Sequence, residues 1–340
     1  MISFKSDYAQ GAHPRILEAL AKFNLEHNDG YCEDVHCKNA VRLIQKKLGG
    51  EFFVAFMAGG TLANLTVISH FLRPHQAVIS ADTGHIFTNE TGAIEATGHK
   101  IITCPNEDGK LTTQMILNAL KNHTHVPHVV QPKLVYITQA TELGTLYSKA
   151  ELTAISDLCR QKGLYLYIDG ARLGCALAAM KDELTMADLA DLTDAFTAGA
   201  TKNGALFGEA VIIPNSALAQ DFLFSVKQRG GLIAKSSVVG IQFEELFKDD
   251  LYIELATHAN AMSQILKDGL IRAGVTLCWD SPTNQQFALI ENETARRLSK
   301  DYAMLVKKGD ATHSMMRLVT SWATKQEDVL EFIAKLAAEN

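Results

Sequence analysis

The sequence predicts an α/β fold, with a large domain on a mostly parallel sheet and a smaller α+β C-terminal domain. Two observations lead to this prediction. Short, continuously apolar strands alternate with helices, which is typical of a parallel sheet covered on both faces. From about residue 245 the pattern changes to a long helix, two strands and a final helix. We expect an arm at 1–14, a large domain at 15–245 and a small domain at 246–340.

Local signals justify the individual elements. The arm should be extended, and Pro14 suits the first turn of the helix that follows it. Ser148 with Glu151 three residues later has capping-box spacing. The predicted helices of the large domain cover residues 14–27, 37–50, 59–72 and 148–163. The predicted strands cover 51–58, 76–81, 100–105, 132–138, 164–170, 195–200 and 209–214. The small domain is predicted to hold a helix at 251–274 and strands at 286–290 and 315–322.

The composition and the charge pattern argue against some kinds of partner and indicate a cellular compartment. The chain has 340 residues, 47% of them hydrophobic, and a net charge of −6 spread without blocks of one sign. This pattern argues against a nucleic-acid partner. The absence of a long apolar run argues against a signal peptide and a membrane partner. Six cysteines in such a chain indicate reduced thiols and a cytoplasmic protein.

Two clusters have side chains that can bind metals. One contains Cys32, His36 and Cys37, and the other contains three histidines within residues 123–128. Neither has the paired spacing of a structural zinc site. We interpret both as packing or surface residues and predict no metal.

Asp169 is the first candidate for chemistry. It ends an apolar strand and is followed directly by Gly170. In parallel sheets, functional groups collect at the carboxyl ends of strands, so Asp169 is placed to face a ligand. The alternative is an aspartate that caps the next turn.

Lys202 is the second candidate, because it lies alone in a glycine-rich turn between two apolar runs. A free lysine has a pKa near 10.4, whereas an amine nucleophile must be neutral. A partly buried turn lowers that pKa. Small neighbours such as Gly199 and Gly204 would let a planar ligand approach the backbone. The alternative is a solvated lysine at a turn tip.

A glycine-rich segment at a helix start is the third candidate. Gly59, Gly60 and Thr61 lie between a strand and a helix, where free amides form a cradle for an anion. The alternative is an ordinary helix start. An anion cradle, a strand-end aspartate and a turn lysine together suggest pyridoxal 5'-phosphate (PLP). His85, which also follows a strand, could stack on its ring.

The chain resembles the threonine aldolase family, in the β-eliminating lyase branch of fold-type I PLP enzymes. The ordered segments that carry the resemblance are FKSD, GYCED, GGT, ADTGHIF, IDGAR, TKNG and MRLVTSW. The resemblance implies a PLP-dependent transferase fold of type I. It also implies an enzyme that cleaves a β-hydroxy-α-amino acid to glycine and an aldehyde.

The resemblance also assigns roles to residues. Lys202 would form the Schiff base, Asp169 would pair with the pyridine nitrogen and His85 would stack on the ring. Gly60 and Thr61, with Gly59 beside them, would bind the phosphate. The substrate carboxylate would be held by Ser6, Arg172 and Arg317.

The family's assembly as dimers or tetramers implies that Arg229 and Lys235 reach a neighbouring subunit's phosphate. Arg172 is also expected near the cofactor. We therefore expect a homodimer or homotetramer with a small amino acid as substrate.

One departure from the family bears on the substrate. The family carries a second histidine that contacts the substrate hydroxyl, and Thr141 or Glu142 occupies that region here. The proton of the β-hydroxyl would go to His85 or to a water near Glu90. The alternatives are another PLP-dependent lyase or aminotransferase, or a PLP-binding protein with little activity.

Overall fold

A computed structural model describes residues 1–339. The strands are β1 (Ile2–Ser3), β2 (Phe53–Met57), β3 (Gln76–Ala81), β4 (Ile101–Cys104), β5 (Gln131–Thr138), β6 (Tyr165–Asp169), β7 (Ala195–Gly199), β8 (Glu209–Ile213), β9 (Thr276–Leu277), β10 (Gln285–Glu291), β11 (Tyr302–Ala303), β12 (Leu305–Lys308) and β13 (His313–Val319). The helices are α1 (Pro14–Phe23), α2 (Val35–Leu48), α3 (Gly60–Phe71), α4 (His85–Thr88), α5 (Ala93–Ala96), α6 (Thr113–Lys121), α7 (Lys149–Lys162), α8 (Leu173–Met180), α9 (Met186–Leu192), α10 (Ser216–Ala219), α11 (Phe222–Gln228), α12 (Ser237–Phe247), α13 (Leu251–Arg272), α14 (Asn292–Leu298) and α15 (Gln326–Glu339). Short 3₁₀ turns lie at Lys181–Glu183 and Lys248–Asp250.

A seven-stranded sheet in the order β2-β8-β7-β6-β5-β3-β4 forms the centre of the molecule. The strands from β7 to β4 pair in parallel, whereas β8 is antiparallel to both β7 and β2. The mostly parallel sheet is therefore confirmed. The reversal at β8 follows from its connection, because residues 200–208 form a turn too short to hold a crossover helix.

The predicted elements of the large sheet and its helices are confirmed, with small shifts at their ends. α1 ends at Phe23 instead of residue 27. α2 begins before the predicted start, because the Asp34 side chain accepts a hydrogen bond from Cys37 N and caps it. The Ser148–Glu151 capping box is present at the start of α7.

A second, antiparallel sheet in the order β12-β13-β10-β9 lies in the C-terminal region. Its apolar side chains share a core with α13 and α15, in which Leu266, Met316 and Phe332 are fully buried. The N-terminal arm is more than an extended segment. β1 pairs with β11, and the neighbouring Phe4 is buried in this same core. None of the helices within residues 1–339 combines the length and the apolar character needed to span a bilayer.

The large sheet has an apolar core on each face. One holds residues such as Ile79, Ile168 and Phe196, and the other holds Val78 and Tyr167. Successive residues of a strand point to opposite faces, and both faces are covered here. With both faces occupied, the open ends of the strands are left for a ligand site, and β5 and β6 end there at Thr138 and Asp169.

Gly170, directly after β6, is a position where packing requires glycine. A Cβ added there would lie 1.9 Å from the Thr197 carbonyl oxygen of β7. Gly170→Ala is therefore expected to lower the free energy of unfolding by about 3 kcal/mol. Urea unfolding would measure this. Gly11→Ala is the control, because no atom lies within 4 Å of its added methyl group. Equal stability of Gly170→Ala and wild type would contradict the prediction.

Candidate active site

A cavity of about 620 Å³ opens at the carboxyl ends of the parallel strands. The walls come from the starts of α3 and α4, the end of β6, the turn after β7, and strand β13 of the second sheet. Eight charged or titratable side chains line these walls: Tyr8, His85, Glu142, Asp169, Arg172, Lys202, Glu209 and Arg317. The fold therefore gathers groups that are far apart in the sequence at one site.

Asp169 is held in place by three hydrogen bonds. Its Oδ2 accepts from Asn64 Nδ2 at 2.8 Å and from the Tyr136 hydroxyl at 2.7 Å. Its Oδ1 accepts from the amide of Ala171 at 2.9 Å. Asp169 is only 4% exposed. Tyr136 lies on the neighbouring strand and Asn64 on α3, so the carboxylate direction is set by two other elements.

Lys202 lies in the turn between β7 and β8 and is half-buried, with part of its surface facing the cavity. Burial lowers the pKa of Lys202, and the charge of Arg172 lowers it further. Asp7 and Asp169 act in the opposite direction on that pKa, without reversing the shift. The lysine is therefore easier to deprotonate than one in water, as a nucleophilic amine requires.

His85 begins α4 and is linked to a buried carboxyl group. Its Nδ1 lies 2.9 Å from Glu90 Oε1, which also accepts a hydrogen bond from Asn64 Nδ2 at 2.7 Å. Asn64 thus bridges Glu90 and Asp169, while its Oδ1 accepts from the Tyr167 hydroxyl. Burial alone lowers the pKa of His85, but the Glu90 hydrogen bond and nearby negative charges raise it overall.

Glu90→Gln tests this coupling. Burial lowers the pKa of His85, and Glu90 and Asp169 together outweigh that effect, so removing the Glu90 charge is expected to lower the pKa of His85 from its raised value. An NMR titration of the histidine ring protons would measure this. In wild type, the pair's contribution to stability is full below about pH 6.5 and is lost as pH rises through the raised pKa. The exposed Glu95→Gln is the control, and an unchanged His85 midpoint in Glu90→Gln would contradict the coupling.

Two arginines face the cavity, and they differ in their hydrogen-bond partners. Arg172 donates from Nε to Asp7 Oδ2 at 2.7 Å and from Nη2 to Asp7 Oδ1 at 3.1 Å. Arg317, on β13, has a buried Nε without a hydrogen-bond partner in the described part of the chain. Burial lowers the pKa of Arg317, and the nearby Arg172 lowers it further. Arg317 is therefore the better placed of the two to take an anionic group.

The start of α3 lies where the sequence suggests an anion cradle. Gly59 is the N-cap and supplies no capping side chain. The amides of a first helical turn lack partners within the helix, so they can bind an anion. A Cβ added to Gly59 would meet no atom within 4 Å, which leaves room beside the cavity. Gly60 and Thr61 continue this wall.

The structure brings together most of the residues that the sequence singles out. Gly59, Gly60, Thr61, His85, Asp169, Arg172, Lys202 and Arg317 line the cavity. Ser6, Arg229 and Lys235 do not belong to its walls within this one chain, and their roles stay predictions. Among residues 1–339, no three histidine, cysteine or acidic side chains form a group that could hold a metal ion.

Sequence reasoning missed Asn64, Tyr136, Asp7 and Glu209. Asn64, Tyr136 and Asp7 act as partners of residues that it identified. Glu209 had a visible signal, since it is a charged residue at the start of an apolar strand directly after the lysine turn. Glu142, noted from its region, does reach the site. Its carboxyl accepts from the His85 amide and the Thr138 hydroxyl.

The fold defines the class of protein, the fold-type I enzymes. The chain belongs to the β-eliminating lyase family, whose profile matches residues 3–319. A low-specificity L-threonine aldolase of a Pseudomonas species is 32% identical over 98% of this chain and 97% of its own. The resemblance to threonine aldolases is thereby confirmed.

Solved structures agree with this placement. A structure of Leishmania major threonine aldolase has a TM-score of 0.98 and 47% identity, and the match covers 100% of this chain and 99% of that one. A Thermus thermophilus aspartate aminotransferase has a TM-score of 0.74 at 16% identity, covering 99% and 91%. At that identity the second likeness shows the shared fold alone.

Proposed function

We propose that this protein is a PLP-dependent aldolase that cleaves a β-hydroxy-α-amino acid to glycine and an aldehyde. The observation that carries the proposal is a single cavity that contains Lys202, a fixed Asp169, an anion cradle and Arg317. Relatives named as low-specificity L-threonine aldolases support the reaction and the breadth of substrate.

The residues present fit the cofactor. Lys202 offers an amine with a lowered pKa for the aldehyde, and Asp169 offers a fixed carboxylate for the pyridine nitrogen. The phosphate would lie against Gly59, Gly60 and Thr61, where the uncapped helix start leaves amides and space. When bound, PLP supplies an electron sink that stabilises negative charge at the substrate's α-carbon.

The chain's own groups would hold and orient the substrate. Arg317 would bind the α-carboxylate, since a guanidinium fork matches that group. Arg172 is already paired with Asp7, so we propose that it supports the site through charge and packing. Fixing the carboxylate sets which bond of the α-carbon stands perpendicular to the ring, and this choice decides the bond that breaks.

His85 is the proposed acceptor for the β-hydroxyl proton. Its Nδ1 is hydrogen-bonded to Glu90, so Nε2 is the nitrogen that can take a proton. The buried Glu90 would then stabilise the imidazolium that forms. Lys202 would give a proton to the α-carbon after cleavage, and the proton that His85 took from the β-hydroxyl would balance that loss.

The proposal extends to the cellular compartment and the oligomeric state. We propose that the protein works in the cytoplasm as a homodimer or homotetramer. All six cysteines are unpaired, which supports a reducing compartment. Light scattering of the purified protein would give the subunit number.

A direct assay tests the function. The purified protein with PLP is incubated with L-threonine, L-allo-threonine and phenylserine, and both glycine and the aldehyde are measured. Equal amounts of glycine and aldehyde support the proposal. Release of a 2-oxo acid instead would favour the alternative, a different PLP-dependent lyase or an aminotransferase on the same scaffold.

A further inference from the structure

Glu209 is a buried carboxyl group that the proposed mechanism does not use. It is the first residue of β8, lines the cavity and is 4% exposed. Its Oε2 has no hydrogen-bond partner in the described part of the chain. Buried polar groups are nearly always paired in folded proteins, so a carboxyl group that lines a cavity and has an unpaired oxygen is available to a ligand that the cavity receives.

Two glycines place this carboxyl group beside the anion cradle. Glu209 pairs in register with Gly199 of β7, and a Cβ added to Gly199 would lie 2.8 Å from Glu209 Oε2. A Cβ added to Gly60, the first residue of α3, would lie 4.0 Å from Glu209 Oε1. The carboxyl group therefore fills space that both glycines leave, next to the start of α3.

The surroundings of Glu209 favour its neutral form. Asp169, Tyr167, Tyr252 and Lys202 face it from the elements packed against it. Burial and the charge of Asp169 raise the pKa of Glu209 to about 8, although Lys202 acts in the opposite direction. A neutral carboxyl group carries one O–H donor, whereas a carboxylate only accepts.

We propose that neutral Glu209 donates a hydrogen bond to the phosphate of the cofactor at the start of α3 and so positions the cofactor. This inference rests on the proposed function, because that function requires the phosphate. The oxygens of a phosphate accept hydrogen bonds, and a second negative charge beside them is unfavourable. A protonated carboxyl group satisfies it, whereas a carboxylate at the same place would repel it.

The test measures binding and not activity. The full chain, freed of its aldehyde cofactor, is titrated calorimetrically with pyridoxine 5'-phosphate, which has no aldehyde and cannot bond to Lys202. Unphosphorylated pyridoxine is the control ligand. Glu209→Gln keeps a neutral donor of the same shape, whereas Glu209→Met keeps the volume without a donor.

Three results are expected. At neutral pH, Glu209→Gln binds pyridoxine 5'-phosphate within about threefold of wild type, and Glu209→Met binds about tenfold more weakly. Pyridoxine shows no such difference between the variants. The wild-type affinity for the phosphate ester falls as pH rises through the pKa of Glu209, and Glu209→Gln lacks that part of the decrease.

The opposite results would overturn the inference. They are an equal loss in Glu209→Gln and Glu209→Met, or the same alkaline decrease in wild type and Glu209→Gln. If Glu209→Met does not fold, the comparison of the wild-type and Glu209→Gln pH series still decides the matter. If Glu209→Gln does not fold, a wild-type affinity for the phosphate ester that does not fall as pH rises through the pKa of Glu209 overturns the inference. Failure of wild type to bind either ligand would refute the cofactor proposal itself, and the inference with it.

Discussion

Replacing Lys202 with alanine is expected to abolish the visible imine absorption of the protein with PLP and to reduce aldehyde release by at least about 10³-fold. The loss is large because one side chain anchors the cofactor and also moves a proton, and proton transfer alone contributes roughly 10²–10⁴-fold. Absorption spectra and the aldehyde assay measure the two effects separately.

The control for this variant is Lys162→Ala, which removes an exposed lysine at the end of α7. It is expected to keep both the absorption and the activity. A wild-type protein that stays colourless after PLP is added would contradict the cofactor proposal. An unchanged spectrum in Lys202→Ala would contradict only the assignment of the lysine.

Asp169→Asn is expected to lower the turnover rate by roughly 10²–10³-fold, the size of the loss when one preorganised electrostatic group is removed from an active site. The amide keeps the shape but cannot hold a proton on the ring nitrogen by charge. Tyr136 and Asn64 would still surround the position, so the protein should fold. The readouts are turnover, the absorption spectrum with PLP and the melting temperature.

Asp194→Asn is the matched control for this variant. Asp194, before β7, accepts from Leu166 N and Asn215 Nδ2 and does not line the cavity. Asp194→Asn is expected to retain full turnover, whatever it does to the melting temperature. If Asp169→Asn turned over as fast as wild type with an unchanged spectrum, Asp169 would not act on the cofactor.

The central pair of the site was predictable from the sequence for a physical reason. Asp169 ends one short apolar strand and Lys202 follows the next, and the ends of neighbouring strands meet at one edge of the sheet. Their supports were not predictable in this way. Asn64 contacts Asp169 across 105 residues of sequence, and no local pattern encodes such a distance.

The N-terminal arm likewise makes contacts with residues far away in the sequence, and no local pattern predicts them. An extended arm could be expected from composition, but its pairing with β11 joins Ile2 to Tyr302. The antiparallel direction of β8, in contrast, follows from a local feature. The turn around Lys202 is too short to hold a helix. A connection without a helix returns a strand antiparallel to its predecessor.

The arm also has a consequence for synthesis of the protein on the ribosome. Phe4 donates its amide to Ala303 and accepts from Val319, and Asp7 accepts from Asn284 while pairing with Arg172. Residues 4–7 thus reach their full set of partners only after residues 284–319 have emerged. A nascent chain halted before residue 284 would contain Asp7 and Arg172 but neither Asn284 nor Arg317, so the ligand cavity cannot be complete until residue 317 has been translated.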